Sequence, residues 1–274
     1  MSTQSARRVE AVALALLDAS GRAACLPLPS SAPEGLSLPE AFAVGVELAR
    51  LRTQRGERRV GWKIGFTNRS IWPRYGVYAP IWGPVWDSTT ALLDSASCEL
   101  SLAGLNQPRL EPEIVFGFAK APRAGMSLAE LQGCLDWVAH GFEVVHTHFA
   151  DWKFSAADCL ADFALHGRLR VGPRVPVQAW PTLAQDLAAM RVQLHCDGVL
   201  KDEGTGANVL DGPLHALKIW IDAMAEHSPQ WQVQAGEVAT TGTLTDAWPM
   251  LSGQRWQTTL SEPRLQGLTL HTKP

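Results

Sequence analysis

One short apolar segment carries two glutamates that a folded chain can bury only with a cationic partner. Glu111 and Glu113 lie two positions apart in the run R-L-E-P-E-I-V-F-G-F, which has the composition of a β-strand. Side chains two apart on an extended backbone point to the same face, so the two carboxylates stand side by side. Such a pair is costly unless a cation compensates it. The fold must therefore bring a cation to this strand or leave its polar face in solvent.

A third carboxylate, Glu143, lies about thirty residues later in a second apolar run, G-F-E-V-V. Mg²⁺ prefers carboxylate oxygens and keeps open positions for water and substrate. We interpret Glu111, Glu113 and Glu143 as candidate ligands of a hard divalent cation. The spacing E-x-E is equally typical of an ordinary strand with a polar face, so the neighbouring motifs must decide.

Length and composition indicate a globular protein with one sizeable core. The 274 residues are 46% hydrophobic and 19% charged, and no clear linker divides them. The net charge of −3 and the pI near 6.2 argue against a nucleic-acid partner. No stretch has the roughly 18 consecutive apolar residues that cross a membrane. Five cysteines without a C-x-x-C motif fit reduced thiols, and we expect a cytoplasmic protein.

Helices are predicted at the N-terminus and strands mainly after residue 60. Residues 5–19 form an amphipathic pattern, and Glu10 interrupts the apolar stretch that a signal peptide needs. Ser37, Pro39 and Glu40 match the start of a second helix that runs to about residue 53. Further helices are predicted at 127–138, 181–190 and 213–226. Strands are predicted at 60–66, 111–119, 141–147, 164–171, 190–196, 236–242 and 254–260. We expect residues 1–58 to form a helical segment packed on a β-rich core, 59–274.

A single lysine, Lys63, lies in an apolar strand between two glycines, in G-W-K-I-G-F-T. A buried lysine is costly unless it is paired or used. Burial lowers its pKa and makes it a usable acid or base. The alternative is a structural lysine whose side chain reaches the surface past Trp62.

Three other motifs each allow two interpretations. His146 and His148 would share one face of a strand and could bind Zn²⁺ or Fe²⁺, although partly exposed histidines are more common. The turn A-T-T-G-T, residues 239–243, could hold a carboxylate, or it could reflect strand and turn propensity alone. The tryptophan-rich segment 72–86 could wall a pocket, form a subunit contact or fill the core.

Five strings in one order resemble a known family. They are G-W-K-I-G-F-T-N-R-S, L-E-P-E-I-V-F, G-F-E-V-V followed by D-W-K-F, G-T-G-A-N-V-L-D-G-P-L and A-G-E-V-A-T-T-G-T-L-T. Together they resemble the 2-keto-4-pentenoate hydratase and 4-oxalocrotonate decarboxylase branch of the fumarylacetoacetate hydrolase superfamily. The likeness runs from about Val60 to about Trp256. It implies an α+β fold built on a curled mixed β-sheet of the fumarylacetoacetase C-terminal type, with N-terminal helices.

The resemblance also implies roles for individual residues. It matches Glu111, Glu113 and Glu143 to three ligands of Mg²⁺ or Mn²⁺, and Lys63 to an active-site lysine. The expected substrate-binding residues are Thr241 and Thr243 in a T-G-S/T turn, together with Ile81, His146, His148, His166 and Lys153.

Several strings depart from the family pattern around the substrate. E-I-V-D-S-R becomes E-V-V-H-T-H, so His146 replaces an Asp and His148 an Arg. A-D-N-A-S-S or A-D-N-T-S-S becomes A-D-F-A-L-H, which ends at His166. P-D-x-G becomes P-I-W-G, with Ile81 in place of the Asp, and this weakens the assignment to a hydratase. We expect the ligands to match the family and the substrate to differ.

These observations predict a divalent-metal-dependent lyase of the hydratase type. It would act on a 2-oxo acid or its 2-hydroxydienoate tautomer through a stabilised enolate, with Lys63 as proton donor or acceptor. A 2-oxo-enedioate decarboxylase or a C–C bond hydrolase would share the enolate step. An alternative of another class is a partner subunit or a small-molecule binder with little turnover. We expect a homo-oligomer whose partner is a small 2-oxo acid, with no nucleic-acid or membrane partner.

Overall fold

The computed structural model describes residues 3–75 and 77–274. Within these ranges the α-helices are α1 (Thr3–Ala19), α2 (Leu38–Gln54), α3 (Trp72–Tyr75), α4 (Leu128–Gln132), α5 (Ala156–Ala161), α6 (Leu183–Ala189) and α7 (Pro213–His227). None of the helices in this part of the chain combines the length and the apolar character of a membrane span.

The strands of the described residues form two sheets, one of nine strands and one of five. The larger sheet has the order β2-β1-β11-β5-β6-β7-β3, with β12 on β5 and β8 on β6, and the smaller has the order β10-β9-β13-β14-β4. Their bounds are β1 (Arg59–Gly65), β2 (Ile81–Trp86), β3 (Thr90–Leu92), β4 (Ser97–Ser101), β5 (Arg109–Phe118), β6 (Leu135–Val145), β7 (His166–Val171), β8 (Val175–Pro176), β9 (Arg191–Cys196), β10 (Val199–Thr205), β11 (Val238–Thr243), β12 (Trp248–Pro249), β13 (Arg255–Leu260) and β14 (Thr269–Lys273).

The larger sheet is mixed. Strand β1 runs parallel to β11, whereas β5 runs antiparallel to both β11 and β6. Strands β5 and β6 pair along their whole length, and both faces of the pair are largely buried. Because both faces are buried, the sequences of the two strands are nearly continuous apolar runs. The expected α+β fold with a curled mixed sheet is confirmed.

Trp62 anchors the main core between this sheet and α7. Its ring is fully buried and lies 6.0 Å from the ring of Trp220 and 5.2 Å from that of Trp231, centroid to centroid. Its indole N–H donates to Glu237 at 3.0 Å. A buried Trp with its polar atom satisfied stabilises a core strongly, and Trp62 is the residue immediately before Lys63.

The N-terminal helices pack on the sheet next to β2. The start of α2 is a capping box, because Ser37 and Glu40 each accept a hydrogen bond from the other's backbone N–H. Apolar residues of α1 and α2 share one buried cluster with α5 and with residues 145–165, including Val9, Leu16, Val44 and Leu160. We therefore propose that the segment 1–58 and the β-rich remainder form one folded unit.

Two local predictions need correction. The predicted helix 127–138 ends at Gln132, and strand β6 begins at Leu135. Ser127 caps this short helix as expected, but the apolar run after Gly133 gains more by pairing with β5 than by continuing a helix. The second correction concerns segments for which the sequence predicts no strand but which pair as strands: β2, β3, β4, β8, β10, β12 and β14.

Two tryptophans of the segment 72–86 lie in the core. Trp82 and Trp86 are each only 2% exposed, and Trp72 is half-buried. Residue 76 of this segment lies outside the described residues. Of the interpretations left open by the sequence, core packing therefore accounts for Trp82 and Trp86.

Candidate active site

Strands β5 and β6 bring three carboxylates together. Glu111 and Glu143 are directly opposite each other in the antiparallel register, and Glu113 follows on the same face of β5. One oxygen from each of the three lies within 4.8 Å of the others. Glu113 and Glu143 are fully buried, and Glu111 is half-buried. The strand pairing that buries the apolar residues thus also concentrates negative charge at one point.

The electrostatics of this cluster are unfavourable without a cation. Burial, followed by the charge of Glu143, raises the pKa of Glu111 to about 7, and Lys63 only partly opposes this. Burial and the other two carboxylates hold the pKa of Glu113 well above its usual value. Burial also acts to raise the pKa of Glu143, but Lys63 and a hydrogen bond from His166 lower it by more. Two of the three carboxyl groups therefore resist ionisation unless positive charge is added.

The donor set fits a hard divalent cation. One Glu113 oxygen, Oε2, accepts the backbone N–H of Gly242 at 2.8 Å, while Oε1 is buried and has no hydrogen-bond partner among the described residues. A buried carboxylate oxygen without a partner is rare and needs compensation. Carboxylate oxygens are the ligands that Mg²⁺, Mn²⁺ and Ca²⁺ prefer. The three glutamates can therefore hold such an ion.

Lys63 lies at the edge of the cluster. Its Nζ atom is 3.4 Å from Glu143 Oε2, and it donates to the carbonyl oxygen of Ala164 at 3.0 Å. Burial lowers the pKa of this lysine, but the nearby carboxylates, chiefly Glu143, raise it by more, and the net direction is upward. The sequence predicted a pKa lowered by burial, and the charge of the carboxylates reverses that direction. A divalent ion would offset the carboxylate charge that drives the pKa of Lys63 upward.

A cavity of about 220 Å³ opens beside the cluster. Its polar lining includes Lys63, Glu111 and Thr243, and its apolar lining includes Ile71, Ile81, Val145, Trp152, Phe154 and Leu165. A concave site with a few convergent polar groups and a mostly apolar wall is typical of small-molecule pockets. The expected residues Lys63, Glu111, Ile81 and Thr243 all line it.

Gly242, near the end of β11, lies against the carboxylate of Glu113. Gly242 has φ +97°, and a Cβ atom placed on it would lie 1.9 Å from the hydroxyl oxygen of Thr67. Only glycine fits this position, and its N–H thereby reaches Glu113. Thr243 lines the cavity, but Thr241 is buried and donates to the carbonyl oxygen of Ile114 at 3.1 Å.

Five of the seven expected substrate-binding residues do not line the cavity: Thr241, His146, His148, Lys153 and His166. His146 is buried, and its Nδ1 atom accepts the backbone N–H of Asn106 at 3.3 Å. His148 is buried against Asp162, with 2.5 Å between Nδ1 and the carboxylate. Lys153 lies on the surface, with 82% of its side chain exposed.

The reason for this placement of the two histidines is that β6 ends at Val145, so strand alternation does not extend to them. Their rings touch, with 4.9 Å between centroids, and burial lowers the pKa of His146 to about 3. Among the described residues, the shared metal-ligand geometry involves the three glutamates and neither histidine. The alternative of a Zn²⁺ or Fe²⁺ site at this pair therefore has no support in the described residues.

His166, the last of the expected residues, lies behind Glu143 rather than in the cavity. Its Nδ1 atom is 2.8 Å from Glu143 Oε1. His166 does not line the cavity, so its side chain can affect a reaction there through the carboxylate of Glu143.

Sequence reasoning missed Arg109 and Trp152. Arg109 lines the cavity, and its guanidinium carbon lies 4.1 Å from the centre of the Trp152 ring. A cation above an indole face is held in a defined position. The signal was present, because Arg109 precedes Glu111 by two residues and so shares its face of the strand.

Known proteins are similar to this chain along most of its length. No protein-family model matches it. A 2-hydroxyhexa-2,4-dienoate hydratase from Comamonas testosteroni is 31% identical over 231 residues, which cover 84% of each chain. A 4-oxalocrotonate decarboxylase from a Pseudomonas species is 29% identical over 220 residues, covering 80% of this chain and 82% of the relative.

Solved structures share the fold. The 4-oxalocrotonate decarboxylase from Pseudomonas putida G7, complexed with magnesium and adipate, superposes with a TM-score of 0.88 over 99% of both chains at 23% identity. The fumarylpyruvate hydrolase from Pseudomonas aeruginosa, in complex with Mn²⁺ and pyruvate, gives a TM-score of 0.59 over 79% of this chain and 89% of its own, at 14% identity. At these identities the likeness concerns the fold.

Binding of Mg²⁺ should raise the temperature of unfolding. A ligand that binds only the native state stabilises it by about 2.7 kcal/mol at 100 times its dissociation constant. Glu113→Gln removes one carboxylate of the cluster and should abolish most of the shift, measured by scanning calorimetry with and without Mg²⁺. Glu226→Gln, at an exposed position on α7, is the matched control. Equal shifts in both variants would contradict the site.

Proposed function

The chain belongs to the 2-keto-4-pentenoate hydratase and 4-oxalocrotonate decarboxylase branch of the fumarylacetoacetate hydrolase superfamily, and on this premise we propose that it catalyses hydration of a 2-hydroxydienoate, the tautomer of a 2-oxo acid. It is an enzyme of the lyase type that depends on a divalent metal ion. The observation that carries the proposal is the close approach of three carboxylates and one lysine, of which Glu111 and Lys63 line a cavity that is otherwise largely apolar.

The metal would be held by Glu111, Glu113 and Glu143, and we propose Mg²⁺ or Mn²⁺. Similar structures contain magnesium, calcium or manganese, which all prefer oxygen ligands. When bound, the ion supplies a Lewis acid that stabilises negative charge developing on the oxygens of a 2-oxo acid.

Lys63 is proposed to hold and move the proton. An ammonium group has three N–H donors. Ala164 accepts one at 3.0 Å, and Glu143 faces a second at 3.4 Å. Among the described residues the third donor has no partner, and it can serve a substrate in the cavity that Lys63 lines. The burial of Lys63 and Glu143 strengthens these charge interactions.

The second candidate is decarboxylation of a 2-oxo-enedioate. Arg109 favours it, because a guanidinium in the cavity can bind a second carboxylate. A C–C bond hydrolase would use the same enolate step. A partner subunit or binder with little turnover would hold the metal and the ligand without converting them, and measured turnover separates that class from the rest.

Lys63→Met should lower kcat by roughly 10²–10⁴-fold, the usual contribution of a general acid or base. Binding of Mn²⁺, followed by calorimetric titration, should persist because the three carboxylates remain. Lys201→Met, at an exposed lysine on the smaller sheet, serves as the control and should keep full turnover. Turnover of Lys63→Met at the wild-type rate would reduce this lysine to a structural role.

Substrate choice should follow the apolar wall at Ile81 and Leu165. We expect kcat/KM for 2-hydroxyhexa-2,4-dienoate to exceed that for 4-oxalocrotonate by about tenfold or more, because an apolar wall is worth roughly 1–3 kcal/mol per methylene and disfavours a charged end. Arg109→Met should reduce turnover of the dicarboxylate selectively. A preference for 4-oxalocrotonate, lost in Arg109→Met, would instead establish the decarboxylase.

We propose that the protein is a homo-oligomer. An apolar groove of about 1070 Å³ lies along α1, α2 and β2 and includes Leu38, which is 48% exposed; large apolar patches usually mark interfaces. Light scattering should give a multiple of 29.8 kDa. Leu38→Glu should lower that mass, whereas Leu14→Glu, equally exposed but outside the groove, should not. A monomer mass for the wild type would refute the proposal.

We also propose that the enzyme works in the cytoplasm on a small molecule, without a nucleic-acid or membrane partner. All five of its cysteines are free, and reduced thiols are typical of that compartment. Its net charge of −3 gives no electrostatic attraction for nucleic acids or anionic lipids.

A further inference from the structure

A buried chain of hydrogen bonds leads from Glu143 to His166 and Thr89, which do not line the cavity. His166 Nδ1 lies 2.8 Å from Glu143 Oε1, and His166 Nε2 lies 2.9 Å from the hydroxyl oxygen of Thr89. The side chains of His166 and Glu143 are at most 1% exposed, and Thr89 is 7% exposed. His166 and Thr89 do not line the cavity, so they can influence the chemistry only through Glu143.

The hydrogen bonds of His166 determine the orientation of its imidazole ring. A carboxylate oxygen only accepts, so Nδ1 of His166 must carry a hydrogen and donate to Glu143. The other ring nitrogen faces the hydroxyl of Thr89, whose oxygen accepts the backbone N–H of Trp86 at 3.3 Å. The carbonyl oxygen of Trp86 lies 3.1 Å from the same hydroxyl, so it shares the single hydroxyl hydrogen with His166 Nε2. The chain therefore ends on the backbone of β2, and rotation of the ring would break two buried hydrogen bonds at once.

The backbone before His166 is held in an unusual conformation. Phe163, Ala164 and Leu165 have φ values of +54°, +49° and +66°. Three consecutive non-glycine residues in the left-handed region are uncommon, and such strain concentrates at functional sites. This turn points the carbonyl oxygen of Ala164 at Lys63 and then delivers His166 to Glu143. One strained turn thus positions both the lysine and a carboxylate of the cluster.

We propose that His166 is a positioning residue for the cation site. Its Nδ1–H holds Glu143 with Oε1 turned towards His166, and this leaves Oε2 on the side of Lys63, where the ion would be bound. The inference rests on the proposed function, because it takes Glu143 as a metal ligand. In the related string A-D-N-A-S-S a small serine stands where this chain has His166, so this support for Glu143 is a departure from that pattern.

The test measures metal binding without substrate or turnover. Mn²⁺ is titrated into wild type, His166→Leu and His166→Asn, with calorimetry and the electron paramagnetic resonance signal of the ion as readouts. Loss of an outer hydrogen bond to a ligand typically weakens metal binding about 10- to 100-fold, and His166→Leu should show this loss. The amide nitrogen of Asn stands close to the position of Nδ1 and can donate to Glu143, so His166→Asn should recover most of the affinity.

Two further variants complete the design. Thr89→Val keeps the ring of His166 but removes its outer partner, and it should also weaken Mn²⁺ binding. If circular dichroism shows that His166→Leu does not fold, the Mn²⁺ affinity of Thr89→Val becomes the test of the proposal. His195→Leu, at a half-buried histidine of the smaller sheet, is the control.

The outcomes separate this inference from the proposed function. Failure of the wild type to bind Mn²⁺ defeats the cation site itself. A wild type that binds, together with folded His166 and Thr89 variants of unchanged affinity, overturns the role of His166. Equal losses in His166→Leu and His166→Asn would also overturn it, because ring volume and not the hydrogen bond would then be responsible.

Discussion

The placement of three carboxylates within 4.8 Å of one another, inside a sheet, is the constraint on which the arrangement of the site depends. Buried carboxylates this close together repel one another, and the folded state can hold them only where hydrogen-bond donors and cations surround them. Each compensating group comes from a different strand or its end: Lys63 from β1, the N–H of Gly242 from β11 and His166 from β7. In the strand order β1-β11-β5-β6-β7, the glutamates lie on the two strands β5 and β6. Lys63 and Gly242 come from the strands on one side of this pair, and His166 comes from the strand on the other side.

The cavity beside the carboxylates has both a polar and an apolar lining. The three glutamates and Lys63 next to it suit any reaction that passes through an enolate. Its apolar lining includes Ile81 and Leu165, two positions at which the chain departs from the family pattern. Residues of this kind can differ between enzymes that share one fold and one common step.

Predictions from the sequence succeeded where the controlling interactions are local or periodic. The alternation in β5 placed Glu111 and Glu113 on one face, and the capping residues Ser37 and Glu40 located the start of α2. The same reasoning was wrong for residues 133–138, because pairing with β5 overrides a weak helical pattern. It also could not separate core from interface for Trp82 and Trp86, since both environments favour large aromatic side chains.

The sequence by itself determined the fold class and the family, and it placed Glu111 and Glu113 on one face of a strand, because strand alternation, caps and ordered motifs depend on neighbouring residues. Only the tertiary structure decided which polar groups meet. In the folded protein Arg109 and Trp152 line the cavity and His148 contacts Asp162. His166 contacts Glu143 and has Thr89 as its outer partner. Such contacts join residues far apart in the chain, and they depend on strand order and register, which no local pattern specifies.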